Sequence, residues 1–225
     1  MKGIPYIRQN FQNVQLGDLP EVFYYQHGLH FAPFSIKRYV FERDIMDIGA
    51  YFGDSAYVLL SKTKRRVFSY EISEDNLKAF RFNAKRLEFP KRSILIPNAV
   101  SDSISKITID NCFGLGCSIK NKGNIDINTT TIDYEVNKYN MTLGFIKADV
   151  EGEGLKVLRG GMNSILKYRP VMDISIYHSY DELFEVSDII ANLPNYGFEY
   201  HSGNAQELQS FGELSIFAYP NEIVK

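Results

Sequence analysis

The chain has 225 residues, which is enough for one domain with a substantial core, and its 25 basic and 27 acidic residues give a formal net charge of −2. This balance excludes a basic field that would steer the chain onto nucleic acid, and it makes an anionic membrane surface no better a partner. No apolar run is long enough to span a membrane and the first residues lack a signal-peptide pattern, so we expect a cytoplasmic protein.

The first 40 residues carry many aromatic side chains with weak periodicity. Pro20, Gly28 and Pro33 interrupt this stretch. We therefore predict a lead-in segment, residues 1–40, that packs on a domain formed by residues 41–225.

Residues 44–54 predict a buried strand followed by a turn and a helix. The apolar run ends near Asp47, Gly49 and Gly53 punctuate the turn, and a helix is expected from Ser55. Glycines permit positive φ and a close approach of the backbone to a ligand, while a helix start offers unpaired N–H groups to a carboxylate or phosphate. The stretch therefore indicates a nucleoside-cofactor site.

Strands and helices then alternate along the chain. The patterns predict further strands at residues 66–71, 93–97, 143–150, 170–178, 197–201 and 213–219. Helices between successive strands favour right-handed crossovers, so the fold class is an open α/β sheet with parallel strands. Gly160 and Gly161 should weaken or kink the helix expected at residues 155–165. The basic run at residues 62–66 is expected to be a solvated turn.

The pattern changes between about residues 104 and 132, where short runs rich in threonine and isoleucine surround three glycines: Gly114, Gly116 and Gly123. An antiparallel β-hairpin inserted into the alternation explains this best. The only cysteines, Cys112 and Cys117, lie here with C-x4-C spacing and no second pair. We expect reduced thiols and no structural zinc.

Polar side chains stand at the ends of five predicted strands, where open α/β sheets bind their ligands. They are Asp47, Glu71, Asn98, Asp149 with Glu151, and Tyr177 with His178. Glu71 lies 22 positions after Gly49, which suits a carboxylate that accepts hydrogen bonds from both ribose hydroxyls. Asn98 and the Ala99 N–H could bind an adenine ring, and a turn-forming asparagine is an equal alternative.

The glycine pattern favours S-adenosylmethionine (SAM) over a dinucleotide. A dinucleotide fingerprint needs G-x-G-x-x-G, and Tyr51 stands where its second glycine would be. The pattern Asp47-x-Gly49-x-x-x-Gly53 suits the methionine tail of SAM, whose carboxylate can meet turn N–H groups at Ala50 and Tyr51. Its ammonium can be held by carbonyls and an acid.

Several segments resemble the FkbM family of SAM-dependent methyltransferases. They are residues 47–54, Tyr70-Glu71, Asn98-Ala99 and, most specifically, residues 145–161, which join a strand, a D-x-E-G turn and a helix. The resemblance covers roughly residues 35 to 219. At Gly154 the family commonly has alanine or another small residue.

The resemblance implies a class I methyltransferase (Rossmann-like) fold: a seven-stranded, mostly parallel sheet with an antiparallel last strand and helices on both faces. It also implies O-methylation, often of sugar hydroxyls, which converts SAM to S-adenosylhomocysteine (SAH). It assigns five residues to cofactor binding: Asp47, Gly49, Gly53, Glu71 and Asn98.

A sugar hydroxyl must lose its proton during methyl transfer, and a placed base contributes about 10²- to 10⁴-fold to such a step. His178 is the first candidate, although it could equally bind a loop carbonyl, and Glu151 and Asp149 are its rivals or partners. These three side chains could instead hold a divalent metal, which is not favoured because no third acid at a fitting position is evident. His27 receives no role.

The sequence thus predicts a SAM-dependent O-methyltransferase that acts on a carbohydrate or another small hydroxylated acceptor, with no nucleic-acid partner. A NAD-dependent oxidoreductase is the alternative among enzymes, and Tyr51 disfavours it. A non-catalytic module with this fold, acting as an interaction partner, is the alternative outside enzymes.

Overall fold

The computed structural model describes residues 19–109, 125–202 and 214–224. Within these ranges the strands are β1 (Asp44–Ile48), β2 (Val67–Tyr70), β3 (Ser93–Ile96), β4 (Ala99–Val100), β5 (Lys106–Ile109), β6 (Ile125–Thr130), β7 (Leu143–Ala148), β8 (Val171–Ser175), β9 (Tyr196–Ser202) and β10 (Leu214–Pro220). The α-helices are α1 (Phe34–Phe41), α2 (Asp54–Leu59), α3 (Glu74–Arg86), α4 (Ile132–Lys138), α5 (Gly154–Arg159), α6 (Met162–Tyr168) and α7 (Tyr180–Ala191). A π-helix, Leu19–Tyr25, precedes α1, and a 3-10 helix, Asn221–Ile223, follows β10. No helix of the described ranges is both long and apolar enough to cross a membrane.

Seven strands form the central sheet in the order β3-β2-β1-β7-β8-β10-β9. β1 pairs in parallel with β2 and β7, and the parallel pairing continues from β2 to β3 and from β7 to β8. β10 runs antiparallel to both of its neighbours, β8 and β9. The predicted fold is therefore confirmed as a mostly parallel sheet with an antiparallel last strand. The strand order reverses between β1 and β7, which is where open sheets of this kind bind ligands.

The predicted strands of this sheet occur where the sequence places them, with ends that differ by at most three residues. β1 and β7 are buried along their full length, which explains their unbroken apolar character. The larger part of the core lies on one face of the sheet under α4, α5, α6 and α7. The sequence patterns do not predict α1 and α4.

The helix expected at residues 155–165 is divided into α5 and α6. Gly160 and Gly161 separate the two helices, so the weakening predicted at this pair is a complete break. A Cβ on Gly160 would lie 2.1 Å from the carbonyl oxygen of Ser101. The two backbone segments therefore approach each other closely, which only glycine allows.

A second, smaller sheet has the strand order β4-β6-β5. β5 and β6 pair antiparallel, in agreement with the hairpin predicted near residues 104–132, and β4 pairs with β6 in parallel. The middle of this hairpin, with Cys112, Cys117 and its three glycines, lies outside the described residues. That the hairpin is an insertion into a domain stays a prediction.

Residues from the N-terminal part of the chain pack on the other face of the central sheet. One buried cluster joins them to the strands and contains Leu29, Ile36, Ile45 and Phe217. Gly28 has a φ of 75°, and a Cβ there would lie 2.3 Å from the Phe217 ring. The described lead-in residues thus contact the sheet directly, while the boundary at residue 40 stays a prediction.

The basic run at residues 62–66 lies in a turn, as the sequence indicates, but its two arginines are not simply solvated. Arg65 and Arg66 lie 3.1 and 2.9 Å from the buried carboxylate of Asp44, and the Thr142 N–H donates to it at 2.8 Å. Burial raises the pKa of Asp44, but the hydrogen bonds from the two arginines and the backbone outweigh it and lower that pKa from 3.8 to about 2. The arginines therefore tie β1 to its neighbours.

The lowered pKa of Asp44 predicts a loss of stability in acid. Because the folded state holds the carboxylate ionised, its contribution is complete above the ordinary value of 3.8 and disappears as the pH falls to about 2. The shift corresponds to about 2 kcal/mol of unfolding free energy. Urea unfolding between pH 5 and pH 2 should show this loss in the wild type and lack it in Asp44→Asn.

The exposed Asp75 provides the control for this experiment. Asp75→Asn should follow the wild-type dependence on pH. If Asp44→Asn and the wild type lose stability in parallel, the ion pairs of Asp44 contribute nothing to folding.

Candidate functional site

A cavity of about 400 Å³ lies at the carboxyl ends of the parallel strands. Its wall includes seven residues that the sequence assigns to the cofactor or to catalysis: Gly49, Tyr51, Glu71, Asn98, Ala99, Asp149 and Glu151. Four other assigned residues do not belong to the wall: Asp47, Ala50, Gly53 and His178. The wall also contains residues without a predicted role, including His27, Lys147, Asp173 and Ser215. The structure thus gathers the predicted strand ends around one space.

Two glycines in the left-handed region shape the turn after β1. Their φ angles are 76° at Gly49 and 91° at Gly53, the residue before α2. A Cβ on Gly49 would lie 1.9 Å from the carbonyl oxygen of Asp149, so the position requires glycine. The N–H groups of Gly49 and Ala50 both donate to the Tyr70 carbonyl at 3.0 Å. The N–H of Ala50 is therefore used within the fold.

Asp47 is buried beneath this turn, and its carboxylate contacts other side chains of the protein. Its carboxylate accepts hydrogen bonds from Ser55 at 2.9 Å and Ser69 at 3.2 Å, and it lies 3.7 Å from Lys147 Nζ. Lys147 also donates to the Gly49 carbonyl at 2.6 Å. The sequence predicts that carbonyls and an acid hold the ammonium of the cofactor. In the structure the Lys147 ammonium lies in such a position, between the Gly49 carbonyl and Asp47.

Lys147 remains charged despite its burial. Burial lowers the pKa of Lys147, but the charges of Asp47, Asp149, Asp54 and Asp173 outweigh it, so that pKa is raised. The ammonium therefore fixes the Gly49 turn with a charge-assisted hydrogen bond.

The wall beside β2 and β3 carries Glu71, Asn98 and Ala99. Glu71 is 8% exposed, and its Oε1 accepts the N–H groups of Ile72 and Ser73 at 2.7 and 2.8 Å. Burial raises the pKa of Glu71, and these N–H groups oppose the rise. The two bonds orient the carboxylate at the end of β2. Asn98 and Ala99 face the same space from the end of β3.

His178 lies among three carboxylates at the opposite side of the cavity. Its Nδ1 is 2.9 Å from Glu182 Oε2, and its Nε2 is 3.4 Å from Asp149 Oδ1 and 3.7 Å from Glu151 Oε2. Glu182 is buried and also accepts the Gly154 N–H at 3.1 Å. Among the described residues, no group of three or more His, Cys, Asp or Glu side chains is arranged to hold a metal ion.

The protonation of this cluster bears on which group can act as a base. Burial lowers the pKa of His178, but the hydrogen bond with Glu182 and the charges of Asp149 and Glu151 outweigh it and raise that pKa. Burial raises the pKa of Glu151, and the nearby His178 only partly offsets this. The carboxylates around His178 thus favour its charged form, while burial favours the neutral form of Glu151.

The residues of the site without a predicted role include His27, Lys147, Asp173, Ser215 and Glu182. Lys147 and Asp173 are charged residues within otherwise apolar strands, and this could have marked them. They pair in register with each other and with Asp47 across β8, β7 and β1. His27 reaches the site only through tertiary packing, with Nδ1 3.5 Å from Asp173 Oδ2. No local pattern marks it.

The order of the seven strands, with β10 antiparallel between β8 and β9, is that of the class I methyltransferase fold. The family model described as the methyltransferase FkbM domain matches residues 47–200. The chain belongs to the FkbM methyltransferase family, as the resemblance of its sequence motifs implies. No curated protein matches the chain.

Solved structures share the fold at low sequence identity. The methyltransferase FkbM from Methylobacillus flagellatus KT is 20% identical with a TM-score of 0.66, and the match covers 96% of this chain and 50% of that one. This chain therefore spans half the length of that relative. The O-methyltransferase from Bacillus cereus in complex with SAH is 15% identical with a TM-score of 0.52, and the match covers 96% of both chains. An rRNA methylase from Streptococcus thermophilus is 11% identical with a TM-score of 0.51, covering 82% of this chain and 92% of that one.

Proposed function

We propose that this methyltransferase uses SAM and transfers its methyl group to a hydroxyl of a carbohydrate or a similar small molecule. One observation carries the proposal: a single cavity joins Gly49, Glu71 and Asn98 to the acids Asp149 and Glu151. The first three suit a nucleoside cofactor, and the two acids suit the acceptor. The SAH complex of the Bacillus cereus O-methyltransferase, which has the same fold, supports the choice of cofactor and reaction.

The residues of the cavity fit SAM. Gly49 belongs to the cavity wall and carries no side chain, so its backbone is open to the cofactor. Glu71 presents an oriented carboxylate to the ribose hydroxyls. Asn98 and Ala99 supply an amide and a backbone N–H for the adenine. Tyr51, at a φ of 46°, fills the position where a dinucleotide site needs glycine.

Bound SAM supplies a methyl group on a sulfonium, which is already a reactive electrophile. The protein has to hold the acceptor hydroxyl in line with this methyl and to exclude water. We assign the removal of the hydroxyl proton to Glu151, whose raised pKa makes it a better base than an exposed glutamate. Asp149 lies beside it, and Tyr177 donates to Asp149 at 3.3 Å. His178, whose Nδ1 is held by Glu182, lies 3.4 Å from Asp149 and 3.7 Å from Glu151 and positions both acids.

Isothermal titration calorimetry with SAM, SAH and NAD tests the proposed cofactor. We expect SAM and SAH to bind and NAD to give no heat. Binding of NAD without either adenosyl-sulfur compound would support the oxidoreductase instead, and an absence of all binding would support the non-catalytic module. Transfer of a labelled methyl group to a panel of sugars then tests the reaction.

Glu71→Ala is expected to weaken SAM binding by about 2–4 kcal/mol, because two charge-assisted hydrogen bonds to the ribose are lost. Glu71→Gln keeps an oxygen to accept the Ile72 and Ser73 N–H groups, so it should weaken binding less while the start of α3 stays in place. Calorimetry gives both affinities, and circular dichroism checks folding. A folded Glu71→Ala protein with wild-type affinity would remove Glu71 from the cofactor site.

A further inference from the structure

We propose that the methyl acceptor carries an amino group, and that this group binds in a recess of the cavity formed by His27, Lys147, Asp173 and Ser215, here called the β8–β10 recess. The inference rests on the proposed function, since it names the class of acceptor for the same site. The acceptor is then a hydroxylated amine, such as an amino sugar, and not a phosphorylated or nucleotide-linked molecule.

Two buried polar atoms in the recess have no hydrogen-bond partner within the described part of the chain. They are Asp173 Oδ1 and Ser215 Oγ, on residues that are 3% and 4% exposed and that belong to the cavity wall. His27 is engaged with the other carboxylate oxygen of Asp173, at 3.5 Å. Buried polar groups in folded proteins are almost always satisfied. A ligand in the cavity that donates a hydrogen bond to Asp173 would satisfy its Oδ1.

The recess lies too far along the sheet to hold the methionine tail of SAM. Asp173 is on β8 and Ser215 on β10, which are three and four strands away from β2, where Glu71 would hold the ribose. At about 4.8 Å per strand these separations are roughly 14 and 19 Å. The methionine tail of SAM is a short chain that would not span this separation from a ribose at Glu71. The β8–β10 recess is therefore left for the acceptor.

The charges around the recess favour a cation. The acids of the cavity wall outnumber its lysine, Lys147: they are Asp54, Glu71, Asp149, Glu151, Glu153 and Asp173. The nearby ammonium of Lys147 is already engaged with the Gly49 carbonyl at 2.6 Å and with Asp47 at 3.7 Å. An ammonium bound at Asp173 would balance this excess of negative charge, while a phosphate would be repelled by the acids.

Ligand-observed NMR on the full chain saturated with SAH tests the inference. The probes are glucosamine, further amino sugars, the hydroxyl counterpart of each, and glucose 6-phosphate. We expect amino sugars to bind at least about tenfold more tightly than their hydroxyl counterparts, the range for one charge-assisted hydrogen bond. Glucose 6-phosphate should not bind.

Asp173→Asn keeps the shape of the side chain and should abolish the preference for the amine. Glu153→Gln is the matched control, since it removes a charge from another wall residue, one that is paired with Lys156 at 2.8 Å. It should retain the preference. The inference is overturned if no amino sugar binds better than its counterpart, or if Asp173→Asn keeps the preference.

The affinity for SAM separates this inference from the proposed function. Both variants should bind SAM as tightly as the wild type does. If the wild type does not bind SAM, the proposed function is refuted. If SAM binds and its methyl is transferred to a neutral or a phosphorylated sugar in preference to amino sugars, only the amine inference fails. Transfer to an RNA instead would refute the proposed class of acceptor as well.

Discussion

Gly49→Ala is expected to abolish SAM binding and to lower the free energy of unfolding by about 2–5 kcal/mol. Gly49 has a φ of 76°, which alanine adopts only with strain, and the new Cβ would lie 1.9 Å from the Asp149 carbonyl oxygen. That oxygen belongs to rigid backbone, since the Asp149 N–H donates to the Ile48 carbonyl at 3.0 Å. The turn must therefore move away, which breaks the Lys147 bond to the Gly49 carbonyl.

Gly152→Ala is the matched control for this prediction. Gly152 also has a positive φ, 93°, but a Cβ there would meet only His178 Cβ, at 3.8 Å. This variant should lose about 1–2 kcal/mol from backbone strain and keep its affinity for SAM. Urea unfolding and calorimetry measure the two quantities. Equal effects of the two substitutions would show that strain alone is responsible and that the turn is not held against Asp149.

Local sequence patterns predict much of the fold. Apolar runs, helical spacing and glycine positions predict all seven strands of the central sheet, because each pattern reports burial within one element. The expectation for residues 62–66 is wrong in one part: the run lies in a turn, but its two arginines are not simply solvated. Arg65 and Arg66 instead pair with Asp44, which precedes them by about 20 residues and adjoins them only after β1 and β2 pair.

Some residues of the site can likewise be predicted from the sequence, while others depend on tertiary packing. The strand ends Glu71, Asn98 and Asp149 could be predicted because the carboxyl ends of parallel strands converge. His27 could not, since its approach to Asp173 depends on how the N-terminal residues cross the sheet. Asp47 was predicted as a residue of the strand end, but its contacts with Ser55, Ser69 and Lys147 depend on three separate elements. The sequence patterns therefore do not predict its position beneath the turn.

The departure from the family pattern at Gly154 has a structural explanation. The Gly154 N–H donates to Glu182 Oε1 at 3.1 Å, and a Cβ at this position would lie 2.7 Å from the same oxygen. Alanine would push Glu182 away from its place. Because Glu182 also binds His178 at 2.9 Å, glycine at 154 makes room for the carboxylate that orients the histidine. The helix begins at Gly154, one residue before the expected start.

Glu151→Gln is expected to reduce turnover by about 10²- to 10⁴-fold and to leave the affinity for SAM unchanged, because it removes the proposed base without changing the cofactor wall. The pH dependence gives a second readout. Glu151 must be ionised to accept a proton, and burial raises its pKa above the ordinary value of 4.5, so wild-type activity should rise with pH through that raised pKa. In the variant this rise should disappear from kcat/KM.

Two further variants separate the base from the residues around it. Glu153→Gln alters the adjacent wall acid, which is paired with Lys156, and should keep both the wild-type rate and its pH dependence. His178→Gln should shift the rise in activity to higher pH, because the imidazolium lowers the pKa of Glu151 and the shift follows from its removal. If Glu151→Gln retains wild-type turnover while His178→Gln loses the pH-dependent rise altogether, then His178 is the base, and the assignment made first from the sequence replaces the one proposed from the geometry.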